Sequence, residues 1–134
     1  MSGCSSTNNI TPVQSSENLN EVCIVKNHKV RYEEAINVIR EEFGNHGIST
    51  SVVNSDKDCP IVLTYTARRG WHLASYLGRF EIHLWKNGIK LASAEYAQSR
   101  FSLTKWGDTR GRMKAMVEQL LAEYPVQQRL YSSR

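Results

Sequence analysis

The chain has 134 residues, 40% hydrophobic and 22% charged, with a formal net charge of +4. This is enough for one domain with a real core, and the mild positive excess permits an anionic partner without demanding one. No apolar run approaches the ~18 residues of a membrane-spanning helix, and no complete signal peptide is present.

Residues 1–20 read as a separate zone. Ser5, Ser6, Thr7, Asn8, Asn9, Gln14, Ser15, Ser16, Asn18 and Asn20 dominate it, and Pro12 interrupts it. Such a segment buries too little apolar surface to offset its ordering entropy. The expectation is a flexible tether of roughly 20–25 Å, followed by one domain over 21–125 and a tail over 126–134. Val22-Cys23-Ile24-Val25 reads as a strand. Tyr32, Ala35, Ile36, Ile39 and Phe43 form one apolar stripe, which predicts a helix over 31–43. Gly44 and Gly47 are its stop signals.

Residues 48–53 predict a second strand, and Cys59-Pro60 opens a third over 61–67. Arg68-Arg69-Gly70-Trp71-His72 breaks that pattern as a loop or bulge. Phe80 to Tyr96 then carries the clearest local signal, Asn87-Gly88 between two alternating runs. A type I′ turn needs positive φ at both central residues, and these two types supply it. A straight two-residue hairpin pairs Leu84 with Leu91, Ile82 with Ser93 and Phe80 with Glu95. Phe80, Ile82, Leu84 and Leu91 then face the core, while Glu81, His83, Trp85 and Lys90 face out. Phe101 and Leu103 suit an edge strand. Met113, Met116, Val117, Leu120, Leu121 and Tyr124 form the apolar face of a last helix, capped by Asp108 or Thr109 and ended by Pro125. The order β-α-β-β-β-β-α predicts an α+β two-layer sandwich, with a four- to five-stranded antiparallel or mixed sheet and both helices on one face.

The chemistry-bearing residues do not assemble into a catalytic pattern. His28, His46, His72 and His83 fall on four different elements, with no His-x-x-x-His or paired carboxylate to close a metal site. There is no Gly-x-Ser-x-Gly elbow and no phosphate-cradling glycine loop. The expectation is a binding protein rather than an enzyme, with no cofactor, no metal and no small-molecule substrate. Its candidate partner surface is Arg68, Arg69 and Trp71 at the break, with Trp85 and Lys90 across the hairpin, where guanidinium and indole groups suit stacking and anion pairing. Helix, three strands and helix also echo double-stranded-RNA-binding domains, with Arg110, Arg112 and Lys114 at the start of the last helix. That layout supports an alternative, a cytosolic nucleic-acid-binding domain.

Three cysteines leave two readings. In one, Cys4 is a modified anchor and Cys23 and Cys59 are bonded in an oxidising compartment. In the other, all three are free cytosolic thiols.

Ser2-Gly3-Cys4-Ser5-Ser6 resembles the end of a bacterial lipoprotein signal, in which a small residue precedes the cysteine that is acylated. The body adds to this. Cys59-Pro60-Ile61-Val62-Leu63-Thr64-Tyr65-Thr66-Ala67, Trp71, Asn87-Gly88, Ala92-Ser93-Ala94-Glu95-Tyr96 and Lys105-Trp106-Gly107 resemble a group of small Gram-negative lipoproteins over roughly residues 59–124. His72 stands where that group has Asp. The resemblance implies lipidation (palmitate) at Cys4, a signal peptide upstream, export to the outer membrane and a periplasm-facing domain that binds another envelope protein. The group itself has no established activity.

Overall fold

The computed structural model describes residues 6–30, 33–55, 58–72, 74–98 and 109–124, with residues 6–8, 69–72, 74–77 and 98 described by their backbone alone. Eight elements follow in order: β1 (Ser6–Thr11), β2 (Glu21–Val25), α1 (Glu34–Asn45), β3 (Ser49–Val53), β4 (Ile61–His72), β5 (Ala74–Lys86), β6 (Ile89–Gln98) and α2 (Thr109–Leu120). The six strands form one sheet, ordered β1-β6-β5-β4-β2-β3. β2 runs parallel to both of its neighbours, and every other pair is antiparallel. This is the expected α+β sandwich with a mixed sheet, wider by one strand. The edge strand drawn at Phe101 and Leu103, the cap at Asp108 and the tail over 126–134 lie outside the described residues.

The extra strand corrects the tether. β1 pairs with β6 from Ser6↔Gln98 to Thr11↔Ser93. Beyond it, Val13 and Leu19 are fully buried. The Val13 amide donates to the Leu120 carbonyl at 2.9 Å, and the Leu19 amide donates to the Tyr124 hydroxyl at 2.9 Å. Residues 12–20 thus close over the end of α2 and satisfy a carbonyl that its last turn leaves without an intrahelical partner. Two apolar anchors and a full strand ladder outweigh the polar composition that suggested disorder. The folded domain therefore includes residues 6–20 and not only those from 21 onward.

α1 starts three residues later than expected, and Arg31 and Tyr32 lie outside the described residues. Its buried face is Ala35, Val38, Ile39, Glu42 and Phe43. It ends as the glycines foretell. Gly47 takes φ +76 and its amide donates to the Gly44 carbonyl, while the Ile48 amide reaches back to Phe43. This is the Schellman arrangement, and the buried Ile48 makes the chain turn inward after it.

The hairpin turn is as read, with Asn87 at φ 52 and Gly88 at φ 84. Its register is not. Trp85 pairs with Lys90, but Leu84 pairs with Ala92, Ile82 with Ala94 and Phe80 with Tyr96. Leu91 is the extra residue of a β-bulge. The reason is visible in the composition of β6. The straight register would send Ser93 and Glu95 into the core and leave Ala92, Ala94 and Tyr96 in water. One bulged residue exchanges the two faces, because side chains alternate with period two. Phe80, Ile82, Leu84, Ala92, Ala94 and Tyr96 are buried, and Leu91 is only partly so. A second register shift, between Arg68 and Arg69, lies at the predicted break, but the ladder continues to His72↔Ala74.

α1 and α2 cover the same face of the sheet. α2 buries Met113, Met116, Val117 and Leu120, and Leu121 and Tyr124 follow into the same core. Between the helices lies Glu42, buried, with Oε2 lacking a hydrogen-bond partner among the described residues. Lys114 Nζ stands 3.9 Å away. Burial is the main cause that raises the Glu42 pKa above 4.5, Glu118 adds to it, and Lys114 opposes it. Glu42 ionisation is therefore harder folded than unfolded. Its contribution to stability is complete below the usual glutamate value and declines as pH rises through the raised one. Glu42→Gln removes that decline. Chemical denaturation at pH 7 should find the variant more stable, by about 1 kcal/mol, and the advantage should vanish as pH falls below about 4.5. A variant less stable at pH 7 would contradict this account.

Candidate functional site

The connection from β3 to β4 must cross β2, since the two strands flank it and run parallel to it. Val22 and Ile24 point into the core, so Cys23 points to the face opposite α1 and α2. There it is bonded to Cys59, with Cα atoms 6.2 Å apart. The disulfide therefore pins the crossing to the outer face of β2. Of the two cysteine readings, the paired one holds for Cys23 and Cys59. Cys4 lies outside the described residues.

Next to this crossing, the outer faces of β4 and β5 form a shallow groove of about 330 Å³, lined by Cys59, Pro60, Val62, Thr64, Trp85 and Gly88. Trp85 Nε1 donates to Thr64 Oγ1 at 3.0 Å, which fixes the indole across the strands. Lys90 Nζ stands 5.8 Å from the Trp85 ring centroid. The structure thus brings together two of the residues proposed from sequence. Arg68, Arg69 and Trp71 are not with them. They lie toward the far end of β4, from about 20 Å away for Arg68 to about 30 Å for Trp71 at ~3.3 Å per residue. Arg68 is exposed and its backbone pairs with Arg79. Arg69 and Trp71 are described by backbone only, opposite Leu77 and Ser75.

The same open face carries a polar cluster that sequence reasoning missed. Glu81 and Glu95 are direct cross-strand partners. Like charges so placed cost about 0.2–1 kcal/mol unless a cation relieves them. His83 lies two residues along β5, on the same face. Its Nε2 is 3.6 Å from Glu81 Oε1 and 3.9 Å from Glu95 Oε2. Arg79 holds the other Glu81 oxygen, Oε2, at 2.6 Å. At Glu81, burial pushes the pKa up, but hydrogen bonds from Arg79 and His83 outweigh it, and the net direction is down. His83 Nδ1 is buried without a hydrogen-bond partner among the described residues, so Nε2 is the nitrogen that meets other groups. The Trp85 ring lies tilted beside the imidazole, with centroids 6.2 Å apart.

The three basic residues of the nucleic-acid alternative each have a partner within the domain. Arg110 pairs with Glu41 at 2.6 Å, Arg112 donates to the Tyr96 hydroxyl at 3.0 Å, and Lys114 faces Glu42 and Glu118. These cations tie α2 to its own domain. The parallel β2–β3 pair and the β1–β6 pair also depart from helix, three strands and helix. Among the described residues, no helix is long and apolar enough to cross a membrane.

No family model matches the chain, and no curated protein does. Solved structures share its fold. A PelC dodecamer from Paraburkholderia phytofirmans aligns with TM-score 0.58 and 13% identity, covering 89% of this chain and 98% of that one. The L103M form of the same dodecamer gives 0.57 and 12%, covering 88% and 95%. The chain is thus similar in fold, over 89% of its length, to a chain of comparable size.

Proposed function

We propose that this chain is a lipid-anchored, periplasm-facing domain of the cell envelope that binds and scaffolds and catalyses nothing. Cys4 carries the lipid. The observation that carries the reading is the Cys23–Cys59 disulfide, because such bonds persist in oxidising compartments and are rare in the cytosol. The fold shared with PelC, whose structures are dodecamers, supports a protein that works as one copy among several. The partner surface is the groove at Trp85 and Lys90, with Arg68, Arg69 and Trp71 as a second contact at the other end of the same strands. A single acyl chain gives only marginal, reversible membrane attachment, so stable anchoring requires the multiple chains of a lipoprotein modification.

The test uses the gene with its natural upstream region. Cells fed labelled palmitate should incorporate it into the wild-type protein and not into Cys4→Ala. Alkylation of the unreduced protein should leave Cys23 and Cys59 unmodified. A wild-type protein without label, found in the cytosol with three reactive thiols, would end this reading.

A further inference from the structure

We propose that Glu81, His83 and Glu95 form a binding site for a divalent metal ion of the zinc class on the open face of the sheet. The placement follows from strand geometry. Residues i and i+2 of one strand share a face, and a cross-strand partner stands beside one of them. Glu81, His83 and Glu95 occupy the corners of that triangle. Their side chains are long enough to lean toward one point, and one ligand atom from each already lies within 4.8 Å of the others. A tetrahedral ion with bonds of about 2.0–2.2 Å sets its donors about 3.4 Å apart. The two His83 distances, 3.6 and 3.9 Å, exceed this by a few tenths of an ångström. Rotation of two glutamate side chains closes the difference.

The surroundings fit a bound cation. Arg79 takes Glu81 Oε2 and leaves Oε1 turned toward His83, so the carboxylate is oriented by a hydrogen bond to its other oxygen. His83 offers Nε2 alone, since Nδ1 is enclosed. One imidazole with two carboxylates suits zinc and its first-row neighbours, whereas magnesium and calcium prefer all-oxygen shells. Three protein ligands leave a fourth position for water or for a group from a partner. The competing occupant is a proton. An imidazolium between the two glutamates would satisfy the same charges without metal.

Tag-free protein, stripped with chelator and dialysed, is titrated with zinc by calorimetry and with cobalt by visible absorption. The expected result is one equivalent bound, a cobalt band typical of low coordination, and movement of the His83 ring signals in the nuclear magnetic resonance spectrum. His83→Gln and Glu95→Gln should each weaken binding at least tenfold, while His28→Gln should not change it. Glu95→Gln relieves the cross-strand repulsion, so its metal-free form should melt no lower than wild type and a lost site cannot be blamed on misfolding. Absence of stoichiometric binding would overturn the proposal in favour of the shared proton. So would binding that survives His83→Gln, or His83 ring signals that one equivalent of zinc leaves in place. None of these readouts depends on Cys4 or on the compartment.

Discussion

Reduction of the Cys23–Cys59 bond lowers the thermal midpoint of this domain by roughly 10–15 °C. The bond joins residues 36 apart in sequence. Chain-entropy reasoning assigns a loop of that size about 3–4 kcal/mol, through the freedom it removes from the unfolded chain. Position adds a second reason for a large effect. The β3–β4 connection crosses the face of β2 opposite α1 and α2, and Cys59 anchors it there. Without the bond, the crossing segment relies on Pro60 and its neighbours to stay against the sheet. Melts of the wild type with and without reductant, and of Cys59→Ser, measure the effect. Reductant should lower the wild-type midpoint and leave the Cys59→Ser midpoint where it is. A wild-type midpoint indifferent to reductant would mean that the crossing holds without its staple.

Phe80→Ala is expected to cost about 3–5 kcal/mol, and Leu91→Ala about 1 kcal/mol or less. The contrast matters more than either value. In a straight hairpin, Leu91 would face the core opposite Leu84 and its truncation would rank with other buried leucines. In the bulged hairpin it is the unpaired residue, only partly buried, while Phe80 is fully enclosed opposite Tyr96. Urea titrations of the two variants under identical conditions decide between the registers. Equal and large losses would restore the straight one.

Much of the fold was legible because its signals are local. The stripe of α1, the apolar face of α2, the Schellman glycine and the Asn87-Gly88 turn each depend on residues within a few positions of one another. What escaped is non-local. β1, reading Ser-Thr-Asn-Asn-Ile-Thr, has no apolar alternation, and it is a strand because β6 offers it an edge. Val13 and Leu19 looked like stray apolar residues until α2 gave them a surface. The Glu81–His83–Glu95 cluster was hidden by a single residue. The straight register sets Glu95 opposite Phe80, on the inner face, and only the bulge at Leu91 moves it beside Glu81. Alternation in β6 held the clue, because Ala92, Ala94 and Tyr96 are better core residues than Ser93 and Glu95. The candidate surface divided for a related reason: the length of β4 keeps Arg68 and Trp85 apart.

The early start of β1 changes what an anchor at Cys4 would do. Ser6 stands two residues beyond it, a leash of at most ~7 Å, against the roughly 20–25 Å of a free coil. A domain so held has no arm to swing. An anchor there would mount it on the bilayer with the Ser6 end of the sheet downward. Ser6 lies opposite Gln98, Ala97 opposite Arg79, and Arg79 opposite Arg68. Arg68 and Arg79 are therefore level with Ser6, and such an anchor would bring them toward the headgroups. Asn87-Gly88, Trp85 and Lys90 lie at the opposite end of the strands, which the same anchor would hold away from the membrane.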